Sequence, residues 1–156
     1  MAGSREWVLL AYRMPREPST PRIAVWRKLR RLGVVQIVDG LVAVPDSAAN
    51  AEHLGWIAND VLDADGEATL WTARLSSAKQ ERELVARLTK EVADAYRAFT
   101  ATVEDLERNN DGVGVRERDR LTRKLRAIVR RDHLGASGRD RAERALKRLS
   151  RSAEAV

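Results

Sequence analysis

Chemistry in this chain has to come from cations. Arg13, Arg16 and Arg22 surround Ser19 and Thr20, just before a stretch with the periodicity of a helix. The free N–H groups of a helix start attract negative charge, and guanidinium groups hold oxyanions by charge-assisted hydrogen bonds. Those five residues are therefore the candidate site for a small oxyanion. Arg27, Lys28 and Arg31 follow on the outward arc of the same helix, with Arg30 at its border. A second set lies near the C-terminus: Arg116, Arg120, Arg123, Lys124, Arg130 and Arg131, then Arg144, Lys147 and Arg148. These twelve cations, Arg30 excluded, are the candidates for contact with DNA phosphates. Such contacts confer affinity and salt dependence and carry no sequence information.

Other chemistries lack their residues. The chain has no cysteine, so disulfides, thiolate metal sites and thiol redox reactions are excluded. Its two histidines, His53 and His133, are isolated, and neither has another histidine at helical spacing. Asp60, Asp63 and Asp65 lack the spacing of a calcium loop and read as a solvated helix end. No P-loop, GxGxxG or GxSxG is present. We therefore expect no catalytic residue, no metal and no bound cofactor.

The elements that position the cations follow from pattern. "EWVLLAYRM" (6–14) reads as a strand, and Pro21 falls in the first turn of a helix capped by Ser19 or Thr20 and stopped by Gly33. "VVQIV" and "LVAVP" flank Asp39-Gly40, which predicts a type I′ hairpin. Asp46 is placed to cap a second helix over 47–64, and "EATLWTARL" is a fourth strand. The order β-α-β-β-α-β predicts an α+β, ferredoxin-like antiparallel sheet for residues 1–76. A helical extension, 77–156, follows. It holds one long helix (78–108) with a Val85, Leu88, Val92, Tyr96, Phe99, Val103, Leu106 stripe, a loop at 109–114, and basic helices near 115–132 and 139–153.

Composition supports a polyanion partner. Residues 1–112 hold 15 Lys/Arg against 17 Asp/Glu, whereas 113–156 hold 14 against 6. The four tryptophans, spread over two strands and two helices, read as core. No aromatic follows Phe99, so the basic tail cannot stack bases and phosphate contact remains. No apolar run approaches the ~20 residues of a membrane span, and a cytoplasmic location is expected. The first strand and the two hairpin strands are apolar on both faces, which predicts that the helix-free face is covered by the C-terminal helices and a second copy in a homodimer.

One resemblance is specific. Tyr12-Arg13-x-Pro15-x-Glu17-Pro18-Ser19, Arg22-x-x-x-Trp26-Arg27-x-Leu29-x-x-Leu32-Gly33, Asp39-Gly40, Val44-Pro45 and "GEATLWTARL" together resemble the ChrB N-terminal domain family of chromate-resistance regulators, over about residues 6–100. The resemblance implies transcriptional regulation with chromate as effector, and kinship to the central domain of PaaX-type repressors and to small CRISPR-associated nucleases. The acid those nucleases place at the end of the first strand is replaced here by Tyr12, Arg13 and Met14, so nuclease activity is not carried over. Longer members continue into a second domain that handles chromate, so a separate protein carrying it is an expected partner. Two other functions are weighed against DNA binding: a chromate or sulfate binding module, and a helical oligomerisation scaffold.

Overall fold

The computed structural model describes residues 1–109 and 112–155. Asn110 and Asp111, in the predicted 109–114 loop, lie outside the described residues. The elements are β1 (Trp7–Arg13), α1 (Ser19–Leu32), β2 (Val35–Val38), β3 (Leu41–Pro45), α2 (Ala48–Asp63), β4 (Glu67–Ala73), α3 (Ala78–Asn109), α4 (Val115–Arg130) and α5 (Arg139–Glu154). The strands form one antiparallel sheet in the order β2-β3-β1-β4, as the βαββαβ pattern requires. The chain divides into two compact units, Met1–Leu88 and Thr89–Val156. No helix among the described residues is long and apolar enough to cross a membrane.

In the first unit, alternation along the strands builds two layers. Val8 and Leu10 of β1 join Val42 and Val44 of β3 in a core with Val25 and Leu29 of α1 and Leu54, Ile57, Ala58 and Val61 of α2. Trp7, Val35 and Ala43 point to the other face and are also buried. The start of α3 belongs to this unit, where Leu84 and Leu88 are buried. Glu81 accepts the backbone N–H groups of Ser4 (3.2 Å) and Arg5 (2.6 Å), and Arg87 donates to the Gln36 carbonyl. The stripe on α3 thus begins at Leu84, with Val85 only half-buried.

Local chemistry departs from expectation at three caps and turns. α1 begins one residue early, at Ser19, with Pro18 as its N-cap and no side-chain cap; Ser19 and Thr20 lie inside the first turn. Ser47, not Asp46, caps α2: its hydroxyl accepts the Asn50 N–H at 3.0 Å, while Asp46 gives its own N–H to the Glu6 carbonyl. Asp39-Gly40 is not a type I′ turn, because only Gly40 has a positive φ (79°) and a register shift lies between Gln36 and Val38. The hairpin end is held instead by the Tyr12 N–H, which donates to the Gly40 carbonyl at 2.8 Å. Gly33 ends α1 as predicted, in the left-handed conformation, bonded back to Leu29 and Arg30.

The tryptophans are not all core. Trp7 is fully buried and Trp26 packs on the core from α1, but Trp56 and Trp71 are more than half exposed. The reason for Trp71 is its position: β4 is an edge strand, and most of its side chains meet solvent.

Candidate nucleic-acid interface

The second unit is a three-helix core. Leu121, Leu125 and Ile128 recur at helical spacing on α4, and Ala142, Ala145 and Leu149 do so on α5. They close against Val92, Tyr96, Phe99 and Val103 of α3. The small alanines let α5 sit close to its neighbours. The segment between α4 and α5 is pinned by Asp132, which accepts the Tyr96 hydroxyl at 2.9 Å and the Ala136 N–H at 2.8 Å. Burial, and then the Asp132 carboxylate, push the Tyr96 phenol well above its ordinary value, so it stays a neutral donor. Gly138 starts α5 with φ 107°, and a Cβ there would lie 3.1 Å from the Tyr96 Cβ.

With the apolar stripes turned inward, most cations of α4 and α5 face water; Arg118 is half-buried, with its Nε out of solvent, and the others include two groups. Arg120 is tied to Glu117 (2.6 Å), Arg139 to Glu143 (2.8 Å), Arg141 to Glu104 (3.3 Å) and Arg148 to Glu107 (3.7 Å). Arg116, Arg123, Lys124, Arg130, Arg131, Arg144 and Lys147 make no ion pair among the described residues. Arg116, Arg123 and Arg130 recur every seven residues, which aligns them along one exposed stripe about 21 Å long at 1.5 Å per residue. Arg144, Lys147 and Arg151 form the matching stripe on α5. Arg151 and Arg126, also exposed and unpaired among the described residues, were not among the predicted contacts. Their helical spacing from Arg144 and Arg123 is the signal that finds them.

In the first unit the predicted cations of α1 are all exposed, and pairing divides them. Arg27 and Arg31 are exposed and make no ion pair among the described residues. Lys28 is paired with Asp60 of α2 at 2.6 Å. The Arg30 guanidinium lies 5.9 Å from the Trp26 ring centroid. The oxyanion set is likewise divided. Arg13 pairs with Glu67 at 2.8 Å, and Arg16 is exposed on the segment before α1. Arg22 lines a cavity of about 410 Å³ with Tyr12, Met14, Trp26, Gln36, Asp39 and Gly40. Desolvation, and then the Asp39 carboxylate, raise the Tyr12 phenol above its ordinary value. Asp39 thus puts an acid in the lining of the same cavity as Arg22. No group of three or more His, Asp or Glu among the described residues is placed to hold a metal ion.

Comparison with known proteins adds a relationship. The family described as Protein ChrB, N-terminal, matches residues 22–112. Protein ChrB of Cupriavidus metallidurans is 29% identical over 77 residues, which is 49% of this chain and 24% of that protein. The chain thus spans about a quarter of the length of this relative. No solved structure matches.

Proposed function

The chain belongs to the ChrB N-terminal family, and on that premise we propose that it is a non-catalytic, DNA-binding transcriptional regulator of the chromate-resistance type. One observation carries the reading. Six cations on two neighbouring helices, Arg116, Arg123, Arg130, Arg144, Lys147 and Arg151, point outward and are spent on no carboxylate among the described residues. An exposed cation without an intramolecular partner can meet a phosphate without first breaking a bond, and each phosphate so neutralised releases condensed counterions. Arg27 and Arg31 add a second cationic surface on the first unit. The ion-paired cations, Lys28, Arg120 and Arg148, sit in solvent-screened pairs that contribute little, so they can still exchange a carboxylate for a phosphate. The non-catalytic part of the proposal rests on the absent thiol and the two distant histidines.

Chromate as effector belongs to the same reading. A chromate site at Arg13, Arg16, Ser19, Thr20 and Arg22 has less support, because Arg13 is held by Glu67 and Asp39 lines the cavity beside Arg22. Calorimetric titration with chromate and with sulfate tests that site, and heat from either would revive it. The DNA reading is tested by fluorescence anisotropy with a duplex from upstream of the gene, across a salt series, with and without chromate. Affinity that falls steeply with salt is expected, and a flat profile ends the proposal.

A further inference from the structure

The two edges of the sheet are unlike. β2 has four residues and an irregular register, and its outward-facing Gln36 carbonyl is occupied by the Arg87 guanidinium. β4, the opposite edge, has seven residues in unbroken register with β1. In an antiparallel ladder both backbone groups of a residue point to the same side, and successive residues alternate. Tyr12 donates to Gly40, so the even-numbered residues of β1 bond toward β3 and the odd-numbered ones toward β4. Leu9 pairs with Trp71 and Ala11 with Thr69. The N–H and C=O groups of Ala68, Leu70 and Thr72 are therefore aimed out of the sheet. Among the described residues nothing bonds them.

This open row has apolar flanks. Leu70 is 42% exposed on the α2 side of the sheet, and Trp71 is 58% exposed on the other. Gly55, beside Leu70, shares a stripe of α2 with Leu62, itself 51% exposed. The three side chains leave a few hundred Å² of apolar surface in water, roughly a third of the ~800 Å² per partner in a standard interface. Residues 67–73 contain no Lys, Pro or Gly, the usual devices that blunt an edge. The ends are polar: Glu67 at the start pairs with Arg13, and Arg74 just beyond the end pairs with Glu6 at 3.4 Å.

We infer that β4 is a homodimerisation edge, pairing antiparallel with β4 of a second copy about a twofold axis normal to the sheet. The occupant is a second copy because the strand is its own complement. Reversal brings the Glu67–Arg13 pair of one copy toward the Arg74–Glu6 pair of the other, so no like charges are forced together, and keeps the apolar centre opposite itself. The axis preserves faces, so one eight-stranded sheet results, with both Trp71 side chains on one face and Leu62 and Leu70 of both copies on the other. The inference is independent of DNA binding.

Sedimentation of the full chain tests it. Thr72→Pro removes an outward N–H and leaves the ladder to β1 intact, since proline is tolerated where an edge N–H faces solvent. Leu70→Glu sets two carboxylates near the axis. Val38→Glu, on the opposite edge, is the control; Val38 is 60% exposed. The wild type and Val38→Glu should be dimers, while Thr72→Pro and Leu70→Glu should associate at least tenfold more weakly with unchanged circular dichroism. If Thr72→Pro fails to fold, Leu70→Glu alone decides. A monomeric wild type, a dimer that survives in Leu70→Glu, or loss of the dimer in Val38→Glu overturns the inference.

Discussion

Replacing Arg116, Arg123 and Arg130 together by glutamine removes the α4 stripe and leaves the fold alone. None of the three touches the apolar core, and none is ion-paired among the described residues. Surface changes of this kind alter stability by no more than about 0.5 kcal/mol each. The effect on DNA is much larger. If the six cations of the two stripes, Arg116, Arg123, Arg130, Arg144, Lys147 and Arg151, are the ones that meet phosphates, the log–log salt slope is about −5, and the triple variant should show about −2.7. Between 50 and 200 mM salt the wild type then loses about 10³-fold in affinity and the variant about 40-fold. Anisotropy with a labelled duplex at four or five salt concentrations measures both slopes. A calorimetric scan of the free protein confirms that the variant is folded. The reasoning is refuted if the variant folds and its slope equals that of the wild type, because those arginines would then meet no phosphate.

Three further outcomes concern the scaffold. Gly40→Ala places a Cβ 2.6 Å from the Tyr12 carbonyl oxygen at φ 79°, and urea unfolding should show a loss of about 2–3 kcal/mol. Tyr96→Phe deletes the donor to Asp132, and the loss of a hydrogen bond to a charged acceptor in this half-buried site should cost about 1.5 kcal/mol by the same assay. Glu81 is held below its ordinary value of 4.5, first by the Arg5 backbone N–H. Its folded pKa is the lower one, so the N-terminal tether is fully present above pH 4.5 and is lost as pH falls through the depressed value. Melting temperature against pH should therefore fall less steeply below 4.5 in Glu81→Gln than in the wild type. Parallel curves would remove Glu81 from the acid response.

Local pattern carried most of the architecture. The order of elements, the glycine stop after α1 and the inward stripes of α4 and α5 depend on spacing along the chain, and spacing is visible in a sequence. Caps and turns were less legible, because Ser47 and Asp46 are adjacent and both capable; the bond from the Asp46 N–H to Glu6 decides between them. The candidate site was legible as a set of outward cations, yet spacing could not sort them. Lys28 meets Asp60, Arg141 meets Glu104 and Arg148 meets Glu107, all acids more than thirty positions away.

The sequence by itself determined that this is an α+β chain without thiols whose positive charge is concentrated on amphipathic helices near its C-terminus. Only the tertiary structure decided which cations remain unpaired, that Trp56 and Trp71 are in water, and that β4 has an open edge. The physical reason is range. Helical and strand periodicity are set by neighbours along the chain, whereas neutralisation of a charge and exposure of an edge depend on which distant segments fold beside it.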